Sequence, residues 1–138
     1  MIRRFTVPGE PVGKGRPRVT MRGGHAHGYT PAKTAAYERS VAGVYKSSFP
    51  GAKPLDGPLE LKIEAYMPIP KSWSRDEKAR ALAEIKLPET KPDVDNIGKA
   101  VSDALNGVAY WDDKQITSMT VRKRYGTLPR VEVEIWQP

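Results

Sequence analysis

The sequence predicts a small α/β (α+β) fold, a single domain over residues 1–138 with a mixed, mostly antiparallel sheet packed by helices. Three observations carry that prediction. Apolar residues alternate strictly in LELKIEAYM (59–67) and in VEVEI (131–135), the two-residue period of a half-buried strand. They recur at helical spacing around Tyr37–Tyr45 and Ile97–Leu105. Helix-start chemistry stands in front of helical stretches, as Thr30-Pro31 and as the capping box Ser74-Arg75-Asp76-Glu77.

Taken in order, Ile2–Val7 reads as a short strand. Residues 8–29 are rich in Gly, Pro, Arg and Lys and keep no period, so they read as a long surface loop. Thr30 caps, and Pro31 opens, a helix running to about Ser48, with Tyr37, Val41, Val44 and Tyr45 on its inner face. The strand 59–67 follows the break at Pro50-Gly51 and Pro54. The Ser74 box then opens a helix to about Lys86, with Ala81, Leu82 and Ile85 inward. A third helix spans about 96–107, its apolar stripe being Ile97, Ala100, Val101, Ala104 and Leu105, with Lys99, Asp103 and Asn106 opposite. Two strands, 115–125 and 130–136, close the chain across Gly126-Thr127-Leu128-Pro129. No internal repeat or second domain is visible.

Composition narrows the function. There is no cysteine, which excludes disulfides, thiolate metal sites and cysteine catalysis. No run approaches the roughly 18 apolar residues of a membrane span, so the expectation is a cytoplasmic protein with no membrane partner. The net charge is +7 and unevenly spread. Residues 1–30 carry Arg3, Arg4, Lys14, Arg16, Arg18 and Arg22 against the single acid Glu10. Residues 93–113 carry Asp93, Asp95, Asp103, Asp112 and Asp113 against the single base Lys99. A basic surface favours polyanions. Clustered aspartates repel unless cations, hydrogen bonds or distance relieve them.

The aspartates are arranged. Lys91-Pro92-Asp93-Val94-Asp95-Asn96 precedes the third helix, and Asp93 and Asp95, if extended, point to one side. Asp95 or Asn96 can cap the helix, and Lys99 sits one turn beyond Asp95. The return after the helix can bring Asp112 or Asp113 back beside the first pair. Three converging carboxylates suit a hard divalent cation such as Mg²⁺, which keeps several waters. Such an ion acidifies a bound water and clamps a phosphodiester, with Lys99 offsetting charge. An EF-hand starting at Asp93 fails at Ile97 and Ala104, and GEPVGKG (9–15) is one residue short of a P-loop. Lys14, Arg16, Arg18 and Arg22, in the basic loop, read as phosphate contacts; Lys91 and Lys99 join them as DNA-binding candidates. His25 and His27 lack a third ligand nearby, and Tyr110-Trp111 reads as an anchor of the return loop.

The longer string KPDVDNIGKAVSDALNGVAYWDDKQI (91–116) resembles the signature of the RusA family of Holliday-junction resolvases, small dimeric endonucleases of phages and prophages. It joins D-x-D-N, a lysine four residues past the second Asp, an Asp-Ala-Leu helix end and a D-D-x-Q return; PGEPVGKGRPR also resembles the opening of family members. The resemblance implies Asp93, Asp95 and Asp113 as metal-binding catalytic aspartates and Lys99 as the essential lysine. It implies Mg²⁺ (or Mn²⁺) as cofactor, branched DNA as substrate, and a two-fold homodimer nicking opposed strands of a four-way junction. Asp103 and Asp112 receive no catalytic role, Asp103 being read as a structural partner. A nuclease acting on flaps or forks, and a basic DNA-binding protein without catalysis, stand as the alternatives.

Overall fold

The computed structural model describes the backbone of all 138 residues and every side chain except those of Arg18 and Arg22. Its elements are β1 (Ile2–Pro8), β2 (Arg18–Arg22), β3 (His25–Tyr29), α1 (Ala32–Ser48), β4 (Leu59–Pro68), α2 (Arg75–Leu82), α3 (Val94–Leu105), β5 (Ile116–Gly126) and β6 (Arg130–Trp136). A four-stranded sheet runs β1-β6-β4-β5. The β1/β6 and β6/β4 pairs are antiparallel, and the β4/β5 pair is parallel. The mixed, mostly antiparallel expectation holds. No helix among the described residues is long and apolar enough to cross a membrane.

Alternation in β4 buries Leu59, Leu61, Ile63, Ala65 and Met67 on one face, in line with Val131, Val133 and Ile135 of β6 and with Phe5 and Val7 of β1. α1 and α3 cover that face: Tyr37, Val41 and Tyr45 from one, and the whole predicted stripe of the other, join a single core. The opposite face is polar and cross-linked. Glu60 accepts from the Trp136 indole at 2.7 Å, and the Arg130 guanidinium lies 3.8 Å from the centre of the Tyr66 ring. Gly98 is where α3 rests on β5. A Cβ there would stand 2.9 Å from the Met119 sulfur and 3.1 Å from a Val121 methyl.

Four expectations are corrected. Residues 8–29 are not all loop: β2 and β3 form an antiparallel hairpin turning on Gly23-Gly24, whose φ values of +55° and +79° suit the two-residue turn that the hairpin twist demands. All of β3 is exposed, so neither face carries a burial pattern, and only the Gly-Gly pair marks the hairpin in the sequence. Thr30 does not cap α1; Pro31 takes the N-cap position and no side chain caps it. α2 stops at Leu82 rather than Lys86, because Glu84 turns to φ +61° while the amides of Ile85 and Lys86 fold back on the Arg80 carbonyl. Leu82 and Ile85 are therefore exposed, not inward. The Ser74 cap is as expected, accepting from the Glu77 amide at 3.1 Å. Finally, α3 starts at Val94, two residues before the expected position, with Asp93 and not Asp95 or Asn96 at its N-cap.

Candidate active site

That earlier helix start changes the geometry of the aspartates. Asp93 is extended (ψ 153°) and its side chain caps nothing, while Asp95 already lies in the first helical turn. Strand alternation therefore does not apply to the pair. Both carboxylates are exposed at the positive end of α3, where negative charge is favourable. One turn on, Lys99 extends its ammonium to Asp103, 3.1 Å away.

The return segment is built by the D-D-x-Q residues, and each does something different. Asp112 caps a single 3₁₀ turn, Asp113–Gln115, accepting from the Lys114 amide at 2.9 Å. That backbone bond holds its carboxyl below the usual carboxylate range. The Gln115 side-chain oxygen accepts from the amides of Trp111 and Asp112, and its nitrogen donates to the carbonyls of Leu55 and Gly57, all within 3.0 Å. Gln115 thus pins the turn to the segment before β4. Asp113 is left to face an open cavity of about 280 Å³ with Lys99, Ser102, Thr117 and Ser118. Beneath it, buried Tyr110 donates its hydroxyl to the Ser102 carbonyl at 2.5 Å. Burial, with Asp113 and Asp103 nearby, pushes its pKa up. Tyr110 is the anchor expected of the Tyr-Trp pair; Trp111 is 60% exposed and held through its indole N–H on Asp56.

The structure therefore brings Asp113 and Lys99 together, with Asp95 one turn from Lys99. Among the described residues, no three carboxylate or imidazole side chains gather at ligating reach of one point. Asp93, Asp95 and Asp113 as they stand are not a closed cage. Their chemistry, oxygen donors open to water, fits a hydrated hard cation, because Mg²⁺ needs only one or two carboxylates and keeps several waters.

The basic segment divides in the same way. Lys14 is not a free cation: it bonds Glu38 of α1 at 2.6 Å and Asp103 at 3.2 Å, with its side chain 18% exposed. Its own amide donates to the Asn96 carbonyl at 2.8 Å. Gly13 and Gly15 permit this close approach. A Cβ on Gly13 would stand 2.8 Å from that of Pro92, and one on Gly15 would stand 3.1 Å from the Thr34 hydroxyl that its amide bonds. Gly13 and Gly15 of GEPVGKG are thus spacers that seat the segment between α1 and α3. Asp103, joining Lys14 to Lys99, is the structural partner that its helix face suggested. Arg16 and Lys91 are exposed across a common cleft. The side chains of Arg18 and Arg22, the other DNA-binding candidates, lie outside the described residues.

An α/β domain with a strongly basic opening segment, whose polar centre is built from carboxylates and a lysine, belongs to the class of proteins equipped to handle a polyanion. Comparison with known families narrows the class. Residues 8–136 match the family model of endodeoxyribonuclease RusA, and the chain is a member of that family. It is also similar to the uncharacterized protein YqaN of Bacillus subtilis (strain 168). The two are 45% identical over 134 residues, which cover 96% of this chain and 94% of that protein.

Proposed function

We propose that this endodeoxyribonuclease family member resolves Holliday junctions in the cytoplasm, as a two-fold dimer that nicks opposed strands, with Mg²⁺ or Mn²⁺ held by Asp93, Asp95 and Asp113. The observation that carries the reading is Asp113 beside Lys99 in one open cavity, on a chain with no cysteine nucleophile. A bound cation would supply an acidified water and offset charge on the phosphodiester. The remaining work falls to the chain. Lys99 neutralises charge on the phosphate or departing oxygen, and Asp103 orients it. Gln115 and Asp112 hold the turn that presents Asp113. Arg16, Arg18, Arg22 and Lys91 take the DNA backbone.

The test is cleavage of a labelled four-way junction against linear duplex, flap and fork, in Mg²⁺, Mn²⁺ or EDTA. Paired symmetric nicks on the junction are expected from the wild type, lost in EDTA and in Asp95→Asn or Asp113→Asn while binding persists. Sedimentation of the free protein reads the dimer. Preferred cutting of flaps or forks would replace the substrate. Binding without cleavage in either metal would reduce the site to structure.

A further inference from the structure

A second cleft is lined by Lys91 and Pro92. It is an open cavity of about 660 Å³ between the N-terminal segment, the start of α1, the end of β4 and Lys91-Pro92. That size falls within the range of small-ligand sites, about 300–1,000 Å³. Its lining carries exposed Arg16, Lys33 and Lys91 against one acid, Glu10, beside an apolar side made of buried Met67, half-buried Pro31 and exposed Pro17. The walls are preformed. The Lys14 amide on Asn96, the Gly15 amide on Thr34 and the Lys14 ion pairs fix the segment that makes one side. Asp93 follows directly on the residues forming the other.

The geometry points to a subsite for one unstacked nucleotide of the DNA strand beside the phosphate being cut: the base against the proline and methionine walls, its phosphate among the three cations. This rests on the endonuclease reading above. The charge pattern suits a phosphate at the mouth and an uncharged ring within. The strand must leave its stack to supply one, as enzymes that extrude bases require. No aromatic side chain lines the cleft among the described residues, so a base held there is separated from the stacking that normally quenches a fluorescent analogue.

The experiment places 2-aminopurine singly at each position flanking the cut in a four-way junction. Fluorescence is read on binding in EDTA, and cleavage in Mg²⁺ on the same substrates. Wild type should give a several-fold rise at one flanking position. Pro17→Trp, which sets an indole at the cleft wall, should abolish the rise, and Lys33→Ala should weaken it, both melting as the wild type does. Junction bound with no rise at any position overturns the subsite, as does an equal rise with Pro17→Trp. Deoxyadenosine monophosphate bound by the protein without any rise on the junction would overturn the DNA strand as occupant. Loss of cleavage with the rise intact would count against the nuclease reading and leave the cleft standing.

Discussion

Lys14 lies in the most basic stretch of the chain, yet its position predicts a stability role. Lys14→Met keeps the aliphatic stem and removes the ammonium from between Glu38 and Asp103, at 2.6 and 3.2 Å. The three side chains are 18%, 19% and 20% exposed. Breaking a fully buried pair costs about 3–5 kcal/mol and an exposed one at most about 1, so this partly covered triad should lose about 2 kcal/mol. Unfolding entropy near 2.1 cal/mol/K per residue, over this chain length, turns that into a fall of about 7 °C in Tm. Burial lowers the Lys14 pKa, but the Glu38 and Asp103 hydrogen bonds more than offset it and leave it raised above 10.5. Its stabilisation is therefore whole below pH 10.5 and lost as pH rises through the higher folded value. The gap in Tm between wild type and Lys14→Met should be constant through the neutral range and close in strong alkali. Arg16→Ala is the control: exposed, it should leave Tm unchanged and reduce the salt slope of DNA binding by about 1. The reasoning is refuted if Lys14→Met melts like the wild type while losing salt-dependent DNA affinity as Arg16→Ala does.

Two glycines in helices should respond to alanine with opposite signs. Among the described residues nothing lies within 4 Å of a Cβ added to Gly43 of α1, so Gly43→Ala should gain about 0.5–1 kcal/mol from backbone entropy. Gly98→Ala gains as much but must push Met119 and Val121 aside, at about 1–3 kcal/mol, for a net loss of about 1 in urea unfolding; a net gain would show that the contact yields freely. Two buried tyrosines form a second matched pair. Among the described residues the buried Tyr37 hydroxyl has no partner, whereas that of Tyr110 bonds Ser102. Tyr37→Phe should be neutral or stabilising and Tyr110→Phe should lose about 1–3 kcal/mol, with the reverse order counting against the assignment. Burial raises both pKa values, so above about pH 10 the unfolded chain releases protons that the native one retains, and stability falls. Each Phe variant should flatten that alkaline decline in a pH series of thermal melts.

What the sequence shows is what local period encodes. β4 and α3 stand out because each presents one apolar face to one core, so Leu59–Met67 and Ile97–Leu105 carry unbroken patterns. β3, exposed throughout, sends no such signal, and the hairpin it forms with β2 is unmarked except by Gly23-Gly24. Helix limits are legible only to within a few residues. At Asp93–Asp95 that margin decides the chemistry, since starting at Val94 takes Asp95 out of the extended backbone that would align it with Asp93. The D-D-x-Q string is visible as a motif, but not the division of labour within it. Gln115 reaches Leu55 and Gly57, 60 and 58 residues back, and no local pattern contains that.

The charge map has the same resolution. It separates a cationic opening segment from an acidic island, and suggests that one meets DNA and the other a metal. The fold brings them into contact. Lys14 crosses from the first to Asp103 in the second, Asp103 passes the contact to Lys99, and the Lys14 amide is tied to Asn96 beside Asp95. One cation of the basic segment is thereby paired with acids of α1 and α3 instead of standing free. Arg16, two residues on, remains exposed in the cleft that Lys91 and Pro92 also line. The spacing Gly13-Lys14-Gly15 follows from this bridging role, which needs a lysine long enough to reach two helices and flanking residues small enough to let the backbone come between them.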